Sequence, residues 1–167
     1  MTLTTHALIG ATAAQLFPKN PLIGFFVAFL SHFIIDMIPH WDYKLKSVHK
    51  DPDHPLGVGV ELKSKKFLID ISKITLDLIL GIGGALLILQ PKSSYEISFV
   101  IFTAFAGQLP DGFQFLYVLL RIEPLKSLQW FHNKIQTYSR LDVRPLYGIS
   151  LQAIFFAVFF LIIRFFS

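Results

Sequence analysis

Residues 146–166 read LYGISLQAIFFAVFFLIIRFF, an apolar run whose single charged residue, Arg164, lies close to its end. As a helix, this run is about 30 Å long at about 1.5 Å per residue, which matches the hydrocarbon thickness of a bilayer. The helices of a water-soluble core rarely need so long an apolar run. The run therefore predicts a membrane-spanning helix, and it makes a membrane protein the first hypothesis for the whole chain.

Four other apolar runs precede this one, at residues 1–17, 22–38, 67–89 and 96–120, the last of them interrupted at GQLPDGFQ. Hydrophobic residues make up 53% of the chain and charged residues only 16%, and phenylalanine alone occurs 18 times. A water-soluble domain needs a more polar surface than this composition supplies. The sequence therefore predicts an all-α, polytopic membrane protein, a single domain over residues 1–167 with about five transmembrane helices.

The positive charges of the chain are concentrated in two long polar loops, residues 41–66 and 121–145, which hold most of its 15 lysines and arginines. Because positive residues accumulate on the cytoplasmic side, both loops and the N-terminus are predicted to be cytoplasmic in a multi-pass protein of the plasma (inner) membrane. The basic residues form no continuous tract, so no nucleic-acid partner is expected despite the net charge of +4. The absence of cysteine excludes thiolate metal sites and disulfides.

The two long loops differ in character. In the second, the segment PLKSLQWFHNKIQ places Leu125, Leu128, Phe131 and Ile135 at helical spacing, which predicts one amphipathic helix at the membrane surface. The first loop contains HKDPDHPLGVGVE, which is rich in proline and glycine and is predicted to be irregular.

The polar residues of the apolar runs follow helical spacing. His32, Asp36 and His40 are each four residues apart, so all three can lie on one helix face, with Pro39 ending or bending the helix. In the third run Asp70 and Asp77 lie almost above one another with Lys73 beside them. In the fourth, Asp111 lies one turn from Gln108, next to Pro110.

The predicted topology brings these groups to one depth on the cytoplasmic side. An ionised Asp in hydrocarbon costs about 2.5 to 3.5 kcal/mol unless it is paired, hydrated or bound to a metal. Neutral imidazoles and carboxylates together are ligands for zinc, with manganese or iron as alternatives, and a set without thiolates is typical of a catalytic site with an open position. The convergence therefore predicts a divalent metal centre, zinc first. The segments concerned carry His6 in the first run, residues 36–42 at the end of the second, Asp70 and Asp77 in the third, Asp111 in the fourth and His132 on the surface helix.

Four motifs in the chain resemble one known family: THALIG at residues 5–10, SHFIIDMIPHWDY at 31–43, LPDG at 109–112 and FHNK at 131–134. They resemble the membrane-bound, predicted metal-dependent hydrolases of bacterial inner membranes, which are distantly similar to zinc-dependent phospholipase C. The resemblance implies a multi-helix membrane fold with a His and Asp metal centre that hydrolyses an ester or phosphoester. It implies metal ligands at His6, His32, Asp36, His40 and Asp111, with Asp42, Asp77 and His132 as further candidates.

Simpler structural interpretations remain open for several of these residues. His32 and Asp36 could form a hydrogen-bonded pair that locks two helices, and Lys73 could neutralise Asp70 or Asp77 in a structural ion pair. His132 could be a polar residue of the surface helix. In HKDPDH, His49 and His54 could bind a metal with Asp51 and Asp53, but the two prolines favour a solvated turn.

The leading hypothesis is a membrane-embedded hydrolase acting from the cytoplasmic side on a lipid-linked phosphate or a small acyl ester, with membrane lipids as partners and with Asp42 or Asp77 as general base. Two alternatives belong to other classes. One is a small ion or proton carrier, and the other is a non-catalytic scaffold whose helices are fastened by the metal. Nothing in the sequence specifies an oligomeric state.

Overall fold

The structure, a computed structural model, describes residues 1–136 and 141–166. The described chain is all-helical apart from one short hairpin. Its elements are α1 Leu3–Ala14, α2 Pro21–Asp36, β1 Val48–Lys50, β2 Val58–Val60, α3 Lys65–Leu89, α4 Ser94–Leu120, α5 Glu123–Ile135 and α6 Pro145–Phe166. The predicted all-α class is confirmed, with six helices in the described part of the chain.

Short polar side chains determine where the helices begin. Asn20, Ser64 and Ser93 each accept a hydrogen bond from a backbone N–H three residues ahead and so cap α2, α3 and α4. Two of the helices end on a left-handed residue, Gln90 after α3 and Arg121 after α4. These two residues turn the chain sharply, so that α4 folds back on α3 and α5 folds back on α4.

Helix α1 lies at the centre of the bundle and packs on α2, α3, α4 and α6. Most of its residues are small and buried, and Ala7 and Ala11 form a core cluster with Ala85, Val100 and Ala104. Small side chains let helix backbones approach closely, which is how helices pack when no large apolar side chains separate them.

The large apolar side chains lie on the outside of the bundle. On α2, Leu22, Phe26, Leu30 and Ile34 form one stripe, and each is more than half exposed. Helices α3 and α6 likewise expose large apolar side chains, with Leu87 at 78% and Phe165 at 84%. Several polar residues are buried, among them His6, His32 and Asp36.

Two helices of the described chain, Lys65–Leu89 and Pro145–Phe165, are long and apolar enough to cross a membrane. The predicted number of about five such helices is therefore not supported. At 12 and 16 residues, α1 and α2 are shorter than the ~20 residues that a span needs. Helix α4 is long enough, but polar residues such as Asp111 dilute its apolar character.

The loop after α2 contains structure that the sequence did not suggest. Instead of being irregular throughout, it forms an antiparallel hairpin in which Val48 pairs with Val60 and Lys50 with Val58. The hairpin packs on α4, and Asp51 reaches Arg121 at 3.4 Å. Helix α4 also differs from expectation because it continues through Pro110 without a break.

The antiparallel order of α1 to α4 defines two ends of the bundle. At one end, the hydroxyl of Tyr95 at the start of α4 donates to the carbonyl of Pro18, which follows α1. At the other end lie the first turn of α1 and the last turn of α2, joined by the contact of His6 with Asp36, and the first turn of α1 also contacts Asp77 in the middle of α3. The candidate site residues lie at this second end.

Candidate metal centre

Helix α2 supplies two of the buried polar groups. His32 and Asp36 lie one turn apart, are 0% and 1% exposed, and place Nε2 and Oδ2 3.4 Å apart. His32 and Asp36 therefore share the predicted helix face, where α2 packs on α1 and α4. His40, predicted on the same face, lies beyond the end of the helix because α2 ends at Asp36.

Two further donors come from the helices that follow. Oδ1 of Asp111 on α4 lies 3.6 Å from Nε2 of His32. Helix α5 folds back after the left-handed Arg121 and places Nε2 of His132 3.0 Å from Oδ2 of Asp36. His132 is therefore buried among these donors although its helix runs along the surface of the bundle. It is not the exposed polar residue that the alternative interpretation described.

These donors converge on a common point. One atom each of His32, Asp36, Asp111 and His132 lies within 4.8 Å of all the others. Ligand atoms at about 2.0–2.2 Å from a tetrahedral zinc are roughly 3.3–3.6 Å from one another. The observed separations of 3.0 to 4.0 Å between the imidazole and carboxylate atoms bracket this spacing, so the four groups fit a divalent cation.

The protonation of His32 also fits a cation. Its Nδ1 lies 2.9 Å from the carbonyl oxygen of Gly107. Because a carbonyl only accepts, Nδ1 must carry the proton, and in the neutral ring Nε2 then presents a lone pair to Asp36. Two lone-pair atoms at 3.4 Å repel, so this contact requires either a cation between the two atoms or a second proton on the ring. A backbone carbonyl that fixes the tautomer in this way is the usual support of a metal-ligating histidine.

His6 lies against the other side of this cluster. Its ring is fully buried and stacks on that of His32, with centroids 3.7 Å apart. Nε2 of His6 is 3.3 Å from Oδ1 of Asp36 and 3.9 Å from Oδ2 of Asp111. Neither ring nitrogen makes a hydrogen bond within the described residues. Two orphaned nitrogens at 0% exposure are unfavourable unless a further group satisfies them.

His40 follows the end of α2 and is 1% exposed. Its Nδ1 donates to the carbonyl of Ile38 at 2.7 Å, and its Nε2 lies 4.0 Å from Oδ1 of Asp36. As in His32, the backbone fixes the tautomer and directs Nε2 toward the shared carboxylate. The structure therefore brings together all six residues predicted as metal ligands: His6, His32, Asp36, His40, Asp111 and His132.

The loop after His40 borders the open side of the centre. Asp42 accepts a hydrogen bond from the backbone N–H of Tyr43, and its Oδ2 lies 4.0 Å from the amino group of Met1, which is itself 3.3 Å from Asp36. Asp42 is 37% exposed and Asp111 30%, whereas the imidazoles are buried. Burial raises the pKa of Tyr43 above its ordinary value, and the nearby carboxylates of Asp77 and Asp42 raise it further, so this phenol stays protonated at neutral pH.

Asp77 has a structural task that the sequence did not suggest. Its two oxygens accept from the backbone N–H groups of Leu3 and Thr4, at 2.8 and 3.0 Å, and from the hydroxyl of Thr4 at 2.6 Å. Asp77 therefore caps the first turn of α1 from the neighbouring helix. Its catalytic role stays a prediction.

Asp70 forms an ion pair with Lys73, one of the two pairings that the sequence allowed for this lysine. One of its oxygens accepts from the backbone N–H and the hydroxyl of Ser47, at 2.7 and 2.8 Å, and the other lies 3.7 Å from Nζ of Lys73. These contacts fasten the loop before the hairpin to α3. Lys73 pairs with Asp70 in this arrangement, one turn away from Asp77.

Gln152 on α6 is a residue of this region that sequence reasoning missed. Its oxygen accepts from the hydroxyl of Thr5 at 2.9 Å, and its Nε2 donates to the carbonyl of Trp41 at 2.7 Å. It therefore ties the last helix to α1 and to the loop that carries His40. In the sequence it stands out as an amide within a largely apolar run, and in the structure that amide is buried.

The histidines of the hairpin lie apart from the centre. His49 is exposed on β1, whereas His54 is buried, accepts from the backbone N–H of Leu56 at 3.1 Å and packs against Tyr117. Within the described residues they belong to no group of three or more side chains with metal-ligand spacing.

Comparison of the chain with protein-family models, with curated proteins and with solved structures gives no match.

Proposed function

We propose that this chain is a membrane-embedded, metal-dependent hydrolase of the inner-membrane type that its motifs resemble, cleaving an ester or phosphoester. The observation that carries the proposal is the convergence of His32, Asp36, Asp111 and His132 from three helices on one buried point. Buried imidazole and carboxylate donors without thiolates are typical of catalytic divalent metal sites, for zinc first and for manganese or iron as alternatives.

The apolar exterior of the bundle supports the membrane part of the proposal. Exposed leucine, isoleucine and phenylalanine side chains cover α2, α3 and α6, while the interior holds buried histidines and aspartates as well as apolar residues. Water would penalise that exterior, whereas lipid solvates it at no cost. Under the proposal the shorter helices α1 and α2 enter the bilayer as a pair beside the longer helices without each spanning it, and the N-terminus and the two long loops are cytoplasmic.

The donor set defines what a metal would contribute. A divalent ion held by these residues would lower the pKa of a bound water to about 7 and would polarise the oxygen of an ester or phosphoryl group. His32 and His132 would bind through Nε2, and Asp36 and Asp111 through their carboxylates. The carbonyl of Gly107 orients His32 for this task.

A partly exposed carboxylate would act as the general base beside the substrate. Asp42 lies beside the centre with 37% of its side chain exposed, so it can accept a proton from an attacking water. Tyr43 stays protonated and can donate a hydrogen bond to charge that develops on the substrate. Asp77 is less suited to proton transfer because both its oxygens already hold the first turn of α1.

A lipid or lipid-linked substrate agrees with the position of the centre. The donors lie at one end of the bundle, next to loops with charged side chains, while the helix flanks are apolar. An amphiphile can bring its polar group to such a site while its acyl chains remain in the bilayer.

The proposal is tested by elemental analysis of the full-length protein purified in detergent, together with hydrolysis of a chromogenic phosphodiester and a chromogenic acyl ester. We expect bound metal in the wild type, loss of hydrolysis with a chelator, and loss of metal in His32→Ala and Asp36→Ala. His49→Ala and Asp53→Ala are matched controls, because these residues are exposed in the hairpin, and they should keep the metal.

Three results would contradict the proposal. Metal retained in both His32→Ala and Asp36→Ala would overturn the ligand assignment. Full metal occupancy without hydrolysis of either substrate class would favour the scaffold, and ion flux through reconstituted vesicles without hydrolysis would favour the carrier.

A further inference from the structure

Helix α5 has two faces of different character. Its inner face carries the buried His132, whose Nε2 lies 3.0 Å from Oδ2 of Asp36. Its outer face carries Lys126, Trp130 and Lys134, which follow one another at intervals of four residues and are all exposed. We call these three residues the outer stripe. The same helix therefore reaches the candidate metal centre on one side and presents a basic and aromatic surface on the other.

The chemistry of the outer stripe matches that of an anionic lipid surface. Trp130 is 63% exposed, and Nζ of Lys134 lies 4.8 Å from the centre of its ring. Lys126 pairs with Glu123 at 3.2 Å, but both side chains are more than half exposed, so water weakens this pair. Tryptophan rings accumulate at the level of lipid headgroups, and lysines close to the membrane surface are attracted to anionic lipids.

The outer stripe adjoins the apolar exterior of the bundle. Phe131, beside Trp130, is 42% exposed, and its ring packs against that of Phe33 on α2 with centroids 5.2 Å apart. Ile34, the next residue of α2, is 61% exposed. The apolar surface that lipid would cover therefore continues from α2 onto α5, where it meets the two lysines. An apolar surface that ends in an aromatic ring and ammonium groups fits the boundary between acyl chains and headgroups.

The position of α5 depends on contacts with its surroundings. The helix has 13 residues, a length at which an isolated helix is only marginally stable in water. In the part of the chain that the structure describes, no side chain caps its first turn. Two residues join it to α4, and the first of them, Arg121, is left-handed. Docking of the outer face on lipid would therefore add to the contacts that hold α5, and with it His132, against the bundle.

We infer that the outer stripe of α5 binds the anionic headgroups of the membrane and that this contact holds His132 in the metal centre. The inference rests on the proposed function for the metal, and it adds the dependence of one ligand on lipid. Because His132 would contact the metal from the same helix that contacts lipid, the two binding events favour each other. Metal affinity should therefore be higher on an anionic lipid surface than on a neutral one.

The first measurement uses Trp130 as a probe of docking. The chain has two tryptophans, so Trp41→Phe leaves Trp130 as the single indole. The full-length protein is reconstituted in nanodiscs of brominated phosphatidylcholine, with or without phosphatidylglycerol. We expect the fluorescence of Trp130 to be quenched more strongly with phosphatidylglycerol. Lys126→Glu together with Lys134→Glu should remove this difference.

The second measurement is the affinity for Zn²⁺, by competition with a chelator, in the same two lipids. His132→Ala gives the increase that anionic lipid causes by concentrating Zn²⁺ at its surface, and the increase in the wild type should exceed it several-fold. The double variant of Lys126 and Lys134 should fall to the value of His132→Ala. Lys63→Glu together with Lys65→Glu makes the same change of charge at exposed lysines outside α5, and this matched control should behave as the wild type.

The outcomes separate docking, coupling and the proposed function. Equal quenching in the two lipids would overturn docking on anionic headgroups, and protection of Trp130 from both brominated lipid and aqueous iodide would show that a second copy of the chain covers the outer stripe instead. Equal Zn²⁺ affinities for the two lysine variants would overturn the coupling and leave the proposed function standing, even if His132→Ala binds no Zn²⁺. No bound Zn²⁺ in either lipid would overturn the proposed function and the coupling together.

Discussion

At the scale of single residues, three aspartates that look alike in the sequence have different surroundings. Asp36 faces imidazoles, Asp70 holds Ser47 and Lys73, and Asp77 holds the first turn of α1. The difference arises from the partner that each carboxylate meets in the folded chain. A carboxylate whose oxygens accept from backbone N–H groups stabilises structure, whereas the carboxylate of Asp36 lies among imidazole nitrogens and the amino group of Met1.

Asp77→Ala tests the structural task of that residue. The substitution leaves the N–H groups of Leu3 and Thr4 without their acceptor, so we expect a loss of about 1–2 kcal/mol in the free energy of unfolding, as for other lost helix caps. Metal content measured on the folded variant should equal that of the wild type. Asp53→Ala, at an exposed acid, is the control and should change neither quantity. Unchanged stability together with lost hydrolysis would instead favour the catalytic role.

At the scale of helices, the centre depends on a close contact between α1 and α4. A Cβ atom added to Gly107 would lie 2.5 Å from the carbonyl oxygen of His6 and 3.3 Å from Cα of Gly10. The two backbones therefore touch, and the same glycine offers its carbonyl to His32. Because this contact sets the distance of His6 from Asp111, helix packing and site geometry are coupled here.

Gly107→Ala should therefore weaken both the fold and the centre. Overpacking of a closely packed contact costs about 1–3 kcal/mol, which we expect as a lower unfolding temperature, and the displaced His6 should reduce metal affinity. Gly83→Ala on α3 is the control, because the added Cβ meets no atom within 4 Å among the described residues and alanine favours a helix. Equal thermal unfolding curves and equal metal titrations for both variants would show that the contact is not tight.

Helix α5 shows a second link between an element and the centre. Its amphipathic pattern predicted a surface helix, and the structure contains one, with Trp130 63% exposed on the outer side and Lys134 4.8 Å above its ring. The inner side carries His132 and Gln129, both buried. A helix on the surface of the bundle can therefore supply a ligand to its interior.

At the scale of the whole molecule, the distribution of polarity is the main property. Apolar side chains such as Leu30, Leu87 and Leu161 are more than half exposed, and the titratable groups converge inside. Under the membrane proposal, lipid covers the apolar exterior, while burial in protein shields the polar interior from the hydrocarbon.

Val158→Lys tests this distribution. Val158 lies in the middle of α6 and is 51% exposed. If lipid surrounds α6, a lysine there costs about 2.5–3.5 kcal/mol on insertion, and we expect a several-fold lower yield in the carbonate-washed membrane fraction. Leu62→Lys, at a position 48% exposed outside the helices, should be tolerated. A wild-type chain that carbonate extracts into the aqueous fraction would argue against the membrane proposal.

The sequence by itself determined the helices and the chemical types of the donors. Helix positions follow from local patterns, namely long apolar runs bounded by Asn20, Ser64 and Ser93, and these patterns need no tertiary information. The spacing of His32 and Asp36 likewise fixed their common face in advance.

Only the tertiary structure decided which donor atoms lie next to one another. Contacts between residues far apart in the chain decide which oxygen of Asp36 lies next to which imidazole. Such contacts also explain why Asp77 binds the first turn of α1 and how Gln152 joins α6 to the loop after α2. The pairing of the loop 48–60 as a hairpin and the passage of α4 through Pro110 were missed for the same reason. Local pattern fixes the direction of a side chain around its own helix, but the partner it meets is fixed by the packing of other helices against it.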